Sequence, residues 1–399
     1  MKVRKILHMD LDAFFCSVEE LRDPSLKGKA FAVGGQPGSR GVISTASYAA
    51  RKFGVHSAMP TGRALKLCPG LILVSSFHSG YADMSRKVMQ IVGDFSPLVE
   101  TLSIDEAFLD VSDLPETPLQ IARSLQSRIN RETLLPCSIG GAANMLVAKI
   151  ANDYGKHQHK DPTPPNAITI VEPGREAAFL APLPIDALWG VGPKTAERLT
   201  TLHIHTIGDL AKRSMDEMSR LFGQSGCDLL ERAKGIDTRE IQVEHEVKSI
   251  SQETTFDQDT ADEEYLLKTI RRLSANVGSQ LRKQGITAKT IRIKIRWANF
   301  ETHTRQLALT HPTDRDSVIT SSALELFHKI WSEGKKVRLI GVGSAQFTQE
   351  AVQLNLLEKT DDREERLLRS VDELRERFGK QILVRGFDLD EAKKRNRGL

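Results

Sequence analysis

Two short acidic runs are the residues in this sequence best suited to chemistry. Asp10-Leu11-Asp12 ends one apolar stretch, and Asp105-Glu106 lies in the middle of another, L-S-I-D-E-A-F-L-D-V. A carboxylate inside a strand-like apolar run is costly to bury unless it is paired or bound to a metal. Two such runs side by side in one sheet would form an all-oxygen cage, which suits Mg²⁺. A pair of ions roughly 3.5–4 Å apart can activate a hydroxyl and neutralise a departing pyrophosphate. The plainer alternative is that each cluster is a strand-end turn solvated by water. Asp12 has a further option, capping the helix that carries Phe14 and Phe15.

A triphosphate would also need cations and hydroxyl donors. Ser44, Thr45, Tyr48 and Arg51 sit at a strand-to-helix transition, where free backbone N–H groups favour anions. Lys156 follows a helix and could reach the same place. Taken singly, each is an ordinary surface residue.

The elements that must position these groups can be read from periodicity. Residues 3–9 form a buried strand running into Asp10, and Phe14, Phe15, Val18 and Leu21 then fall at helical spacing. Residues 42–45 read as a strand, 48–53 as a helical turn, and 99–111 as one strand region with D-E in its middle. Helices are expected over 119–129 and 144–152, a strand end over 138–141, and a linker over 157–166. A small helical domain follows at 167–235, a charged connector at 236–247, and a region of mixed strands (289–297, 337–342) and helices (263–283, 316–331) over 248–348. The tail, 349–399, carries Leu367, Leu368, Val371, Leu374 and Phe378 at helical spacing.

Length and composition bound the class. At 399 residues the chain is long enough for two or three domains, and 40% hydrophobic with 27% charged residues excludes a collagen, a wholly disordered chain and a disulfide miniprotein. No apolar run approaches the roughly 18 residues of a membrane span, and Asp10 and Asp12 interrupt the stretch behind Lys2, Arg4 and Lys5, so no secretory signal is expected. Cys16, Cys68, Cys137 and Cys227 are scattered and read as free thiols of a reducing cytoplasm.

The net charge of +4 is modest, but it is concentrated: 265–345 holds 15 Lys+Arg against 5 Asp+Glu, an excess of +10. Within it K-T-I-R-I-K-I-R-W alternates Ile291, Ile293 and Ile295 with Arg292, Lys294 and Arg296. Period two gives a strand with one apolar and one cationic face, which suits a phosphate backbone. An ordinary exposed strand is the alternative.

Four segments in this order, H-M-D-L-D-A-F-F, G-V-I-S-T-A-S-Y-A-A-R-K-F-G-V, L-S-I-D-E-A-F-L-D-V and W-G-V-G-P-K-T, closely resemble the Y-family DNA polymerases, in particular their bacterial DinB branch. The resemblance covers about residues 3–350. It implies an α+β multidomain right hand: a ferredoxin-like palm (1–18 and 75–166), small fingers (19–74), a helix-hairpin-helix thumb (167–235) and an α/β little-finger domain (248–348). It implies that Asp10, Asp105 and Glu106 are catalytic and that, with the Leu11 carbonyl, they hold two Mg²⁺ ions, Mn²⁺ also fitting. Phe14, Phe15, Ser44, Thr45, Tyr48, Arg51 and Lys156 would bind the dNTP, with Phe15 excluding a 2′-hydroxyl. Gly190, Gly192, Lys194 and Thr195 of the hairpin and Arg292, Lys294 and Arg296 of the basic strand would bind primer-template DNA.

Gln353-Leu354-Asn355-Leu356-Leu357 resembles the Q-L-x-L-[FL] peptide that binds the replication sliding clamp, through Gln353, Leu354, Leu356 and Leu357. The expectation is thus a low-fidelity, template-directed polymerase of translesion synthesis, a monomer of the cytoplasm associated with the nucleoid and not with membrane. The H-Q-H-K-D-P-T-P-P-N stretch departs from the branch by its length, which lets Lys160 compete with Lys156, and its His157-x-His159 pair could bind metal or be plain linker. Two rival readings are a nucleotide cyclase, whose palm also presents paired carboxylates, and a non-catalytic DNA-repair binding protein.

Overall fold

The computed structural model describes residues 3–76, 78–244, 246–348 and 362–379, with 382, 383 and 386. The chain divides into two compact units, Met1–His245 and Glu246–Leu399. In chain order the first contains β1 (Ile6–Leu11), α1 (Phe14–Arg22), β2 (Phe31–Gly34), β3 (Ile43–Ala46), α2 (Tyr48–Arg51), α3 (Thr61–Leu67), β4 (Ile72–Val74), α4 (His78–Gly93), β5 (Val99–Thr101), β6 (Glu106–Asp110), α5 (Pro118–Thr133), β7 (Cys137–Ala142), α6 (Met145–Gln158) and β8 (Ile168–Ile170). It continues with α7 (Glu176–Leu180), α8 (Pro193–Thr201), α9 (Ile207–Ala211), α10 (Met215–Phe222) and α11 (Gln224–Ala233). The second contains β9 (Ser249–Thr260), α12 (Glu263–Gln284), β10 (Thr287–Trp297), β11 (Thr302–Thr313), α13 (Asp316–His328), β12 (Val337–Thr348) and α14 (Asp362–Phe378).

The main sheet has the order β5-β6-β1-β7-β8, with β1 antiparallel to both β6 and β7. β1 reads I-L-H-M-D-L because it is covered on both faces. Leu7, Met9 and Leu11 enter one core with residues of α4 and α5, while Ile6 enters another with α6. His8 and Asp10, the polar exceptions, alternate onto the α6 face. α6 lies close against that face because position 140 has no side chain: a Cβ there would collide with the backbone of Ala148 and Asn152.

Three expectations need correction here. The stretch 99–111 is two strands, and Asp105 lies in the turn that opens β6 rather than inside a strand. β8 pairs in parallel with β7, so the sheet runs past the boundary drawn at 166. Residues 19–74 hold a small sheet of their own, β3-β2-β4, of which the periodicity gave only β3.

In the second unit the order is β11-β10-β12-β9, every pair antiparallel. Ile291, Ile293 and Ile295 are fully buried in one core with residues of α12 and α13. The tail helix α14 docks on α12, where the nearly buried Arg282 binds Asp372 at 2.7 Å and Asp316 at 2.9 Å. Among the described residues no helix is long and apolar enough to cross a membrane.

Candidate active site

Sheet register brings the acidic runs together. Asp10 on β1 stands directly across from Glu106, the first residue of β6. The Leu11 N–H donates to the Asp105 carbonyl at 2.9 Å, which ties the second run to the end of β1. Asp105 is half-buried, and its carboxyl accepts from the Ser103 hydroxyl two residues earlier. Burial raises the Asp105 pKa, the charges of Asp10 and Glu106 add to this, and the Ser103 bond opposes it.

Glu106 is held in the opposite sense. The His8 ring donates to its Oε2 at 3.2 Å and the Lys149 ammonium to the same oxygen at 2.8 Å. The His8 bond, with Lys149 behind it, outweighs burial and pulls the Glu106 pKa down to about 2. His8 itself is buried, and burial lowers its pKa against the opposing bond to Glu106.

Lys156 lies on α6 itself, with its ammonium 2.5 Å from Asp10 Oδ1 and 3.6 Å from Asp12 Oδ1. Burial works to lower its pKa, but Asp10 and Asp12 together leave it raised. Asp12 does not cap α1, whose N-cap is Ala13 with no side-chain bond. It is instead fully buried, accepting from the Ser138 hydroxyl at 2.9 Å and the Asn166 N–H at 2.9 Å. Asn166 thereby anchors the end of the 157–166 segment, whose start is the last turn of α6.

Lys160 is exposed and donates to the His157 carbonyl at 3.0 Å, so Lys156 and not Lys160 reaches the carboxylates. The rings of His157 and His159 turn to separate partners, the Asp153 carbonyl and the Thr163 hydroxyl. Sequence reasoning missed Lys149, Asn152 and His8. Lys149, Asn152 and Lys156 are spaced i, i+3, i+7, one face of α6. That spacing gains meaning only once the register of β1 and β6 is known.

Among the described residues no three carboxylate, imidazole or thiol groups are gathered closely enough to hold an ion as they stand. The donors nevertheless fit a hard divalent cation. They are carboxylates only, and Asp105 is bonded to no lysine while facing the charges of Asp10 and Glu106. That is a local negative excess a cation would relieve.

Phe15 is half-buried on α1, its ring stacked on Tyr81 with centroids 4.3 Å apart and planes at 20°. Tyr81 is held by its hydroxyl bond to Glu19 at 2.6 Å. Phe14, expected among the dNTP contacts, points its ring into the core and is 2% exposed, so that ring packs as scaffold. The Arg51 guanidinium lies 4.5 Å over the Tyr48 ring, and its Nε donates to the Ala46 carbonyl at 3.0 Å. Burial raises the Tyr48 pKa, with Asp12 adding, so this hydroxyl stays protonated.

Ser44 and Thr45 are strand neighbours on opposite faces, Ser44 exposed and Thr45 half-buried. One of the N–H groups expected to be free before α2 is already bonded. The helix has four residues, and the Ser47 hydroxyl already accepts the Ala50 N–H.

In the hairpin before α8, Val191 is buried and pins the turn, while Gly190, Gly192 and Lys194 are exposed and Thr195 half-buried. Gly190 has φ +102, where a side chain would be strained and would also meet Arg232. On β10 the cations alternate outward as the pattern predicts. Arg292 donates to Gln306 at 3.0 Å, Lys294 to Glu253 at 2.8 Å and Arg296 to Thr302 at 2.9 Å. Gln353, Leu354, Leu356 and Leu357 lie outside the described residues.

Comparison with known proteins adds an independent line. The model of the impB/mucB/samB family matches residues 9–153, that family's C-terminal domain matches 247–356, and the IMS family HHH motif matches 173–204. DNA polymerase IV of Dehalococcoides mccartyi (strain ATCC BAA-2266 / KCTC 15142 / 195) is 41% identical over 383 residues, covering 95% of this chain and 96% of that one. DNA polymerase IV of Bacillus velezensis is 37% identical over an alignment of 406 positions, covering 100% of this chain and 96% of that one. Among solved structures, a Y-family DNA polymerase chimera of Dbh and Dpo4 superposes with a TM-score of 0.75 at 25% identity, covering 88% of this chain and 100% of that one.

Proposed function

Because the chain belongs to the Y-family DNA polymerases, in the DNA polymerase IV branch, and is a DNA-directed DNA polymerase, we propose that Asp10, Asp105 and Glu106 are the centre at which it joins nucleotides to a primer. The observation that carries this reading is the register of β1 and β6, which sets Asp10 across from Glu106 and bonds Leu11 to Asp105. Divalent ions, Mg²⁺ or Mn²⁺, held there with the Leu11 carbonyl would activate the primer 3′-hydroxyl and neutralise the leaving pyrophosphate.

The remaining roles belong to this chain's own side chains. Lys156 moves its ammonium from Asp10 to the triphosphate, Arg51 and Tyr48 bind the outer phosphates as charge and hydroxyl donors, and Thr45 and Ser44 lie in the strand that leads to them. Phe15 stacks under the deoxyribose, and Tyr81 behind it blocks the retreat that a 2′-hydroxyl would require. Gly190, Gly192, Lys194 and Thr195 present backbone and side-chain donors to DNA phosphates. Arg292, Lys294 and Arg296 do so from a second surface, without base preference.

The physiological task we assign is low-fidelity synthesis past damaged template bases by a cytoplasmic, nucleoid-associated monomer tethered to the sliding clamp through Gln353, Leu354, Leu356 and Leu357. The cyclase and binding-protein alternatives lose ground, since the relatives named DNA polymerase IV align over nearly the whole chain. The test is primer extension over intact and damaged templates with Mg²⁺, with and without clamp. Extension past lesions, made more processive by clamp and less so by Gln353→Ala, is expected; extension that stops at every lesion overturns the translesion assignment.

A further inference from the structure

Glu106 meets two donors, and both use the same oxygen. His8 Nε2 is 3.2 Å and Lys149 Nζ 2.8 Å from Oε2, while Oε1 has no hydrogen-bond partner among the described residues. Neither donor is placed by chance. His8 is fully buried one β-repeat before Asp10, on the strand that faces Glu106.

Its tautomer is fixed by Asn152. The Asn152 Nδ2 lies 3.2 Å from the His8 carbonyl and 3.1 Å from the Ser138 carbonyl, groups that only accept. That nitrogen is therefore the –NH2, which cannot accept, so His8 Nδ1, 2.9 Å away, carries no proton and shares the Asn152 N–H groups with the two carbonyls. The ring proton is then on Nε2, directed at Glu106. The Asn152 oxygen is left buried without a partner, so the amide is oriented for its nitrogen. Lys149 comes from one turn earlier on the same helix, which Gly140 allows close to the sheet.

We propose that His8, fixed by Asn152, and Lys149 are positioning residues that grip Oε2 of Glu106 and so present Oε1 as the single oxygen available to a divalent cation. The inference rests on the reading of Glu106 as a metal-binding catalytic carboxylate. A carboxylate free to turn would spend part of its time with both oxygens directed elsewhere. Gripping one oxygen fixes the other before the ion arrives, and the loss of such a partner costs on the order of 10–100-fold in metal affinity or activity.

The experiment uses the full chain. Mn²⁺ is titrated into the protein without nucleotide or DNA, the free ion being followed by electron paramagnetic resonance, and kcat and the KM for dNTP are measured on primed DNA. His8→Leu removes one of the two donors to Oε2. It is expected to weaken Mn²⁺ binding and lower kcat by about 10-fold or more, with the KM for dNTP unchanged. His8→Gln, which offers an amide N–H of similar reach, restores most of both.

Lys149→Met is expected to lower kcat with unchanged KM, and Lys149→Arg to recover it. It also serves if His8→Leu does not fold, because Lys149 lies nearer the surface. Folded variants with wild-type Mn²⁺ affinity and kcat overturn the proposal, as does a fall in kcat and thermal midpoint together that Gln and Arg fail to reverse. Glu106→Gln separates the two levels. Should it leave turnover intact, the reading of the site fails; should it abolish turnover while His8→Leu and Lys149→Met are normal, this inference alone fails.

Discussion

The main sheet of the first unit and the sheet of the second both carry charge on one face, by opposite physics. Around β1 the charges are few and withdrawn from solvent, and two pairs are already made, Lys156 with Asp10 and Lys149 with Glu106. On β10 three cations stand in a row on an open face, Arg292 and Arg296 each touching a partner on the adjacent β11 and Lys294 touching one on β9, two strands away. Buried pairs act as a unit, since removing one member leaves its partner desolvated and misplaced. Exposed charges on a sheet act nearly independently and are screened by salt. In the function we propose, the first arrangement serves as a catalytic centre in which single residues are decisive, and the second as a grip in which none is.

The largest expected effects lie in the first sheet. Asp105→Ala and Glu106→Gln should lower single-turnover extension by on the order of 10²–10³-fold or more, with the Kd for primed DNA nearly unchanged by fluorescence anisotropy. A Kd that rises in step with the lost turnover would break the division of labour between the sheets. Phe15→Val comes next. Removing the ring that stacks on Tyr81 should reduce the preference for deoxyribonucleotides by on the order of 10²-fold, read from paired kcat/KM values for dNTP and rNTP. Unaltered sugar preference would make Phe15 a core residue like Phe14.

The same sheet also predicts a pH dependence. The folded pKa of Glu106 is depressed from 4.5 to about 2. A depressed carboxylate contributes stability above its unfolded pKa and loses it as pH falls through the folded one. The thermal midpoint of the protein should exceed that of Glu106→Gln near neutral pH, and the gap should close between about pH 5 and pH 2. Asp105, shifted upward by burial, acts with the opposite sign but is present in both proteins. A gap that stays constant down to pH 2 would mean that Glu106 is not held by His8 and Lys149.

The two sheets also differ in how far they could be read from sequence. The alternation of isoleucine with cation gave β10 within two residues, because a strand half in core and half in water writes its two environments into adjacent positions. Its edge neighbour β11, T-H-T-R-Q-L-A-L-T-H-P-T, buries too little to show a period. The acidic runs on and beside β1 and β6 were legible as chemistry through family motifs.

The groups that grip those acidic runs were not legible. His8 inside an apolar strand lies more than a hundred residues before Asn152 inside an apolar helix and Gly140 beneath it, and meets them only through pairings of the sheet. The part played by Asp12, left open between the acidic cage and a helix cap, was hidden for the same reason: its partners Ser138 and Asn166 come from distant parts of the chain, whereas a cap is local. The tail helix showed its spacing but not its docked face. Leu368 is buried while Leu367 and Phe378 are exposed, and the docked helix carries the Asp372 that binds Arg282, a partner the pattern does not show.

On the second sheet the effects should be small, additive and dependent on salt. Arg292→Gln and Arg296→Gln should each weaken DNA binding a few-fold, lower the slope of log K against log salt by about 1, and leave kcat at saturating DNA unchanged. A loss confined to particular sequences would mean that these side chains read bases.

Lys294 refines the comparison, because among the described residues it is the one cation of the three bonded to an acid. Glu253 on β9 reaches it at 2.8 Å across Gly341, the β12 residue that lies opposite both. Both side chains are substantially exposed, so the pair adds little to stability. What it does is neutralise a third of the cationic row. Lys294→Gln should therefore change the salt slope less than Arg292→Gln does. Glu253→Gln should tighten DNA binding by about two- to threefold and steepen the slope, since it frees an ammonium for phosphate. Equal slopes for Lys294→Gln and Arg292→Gln would mean that phosphate outcompetes Glu253 and the row acts as three full charges; an unequal pair would show that the acid sets how tightly this surface holds a strand it must also release.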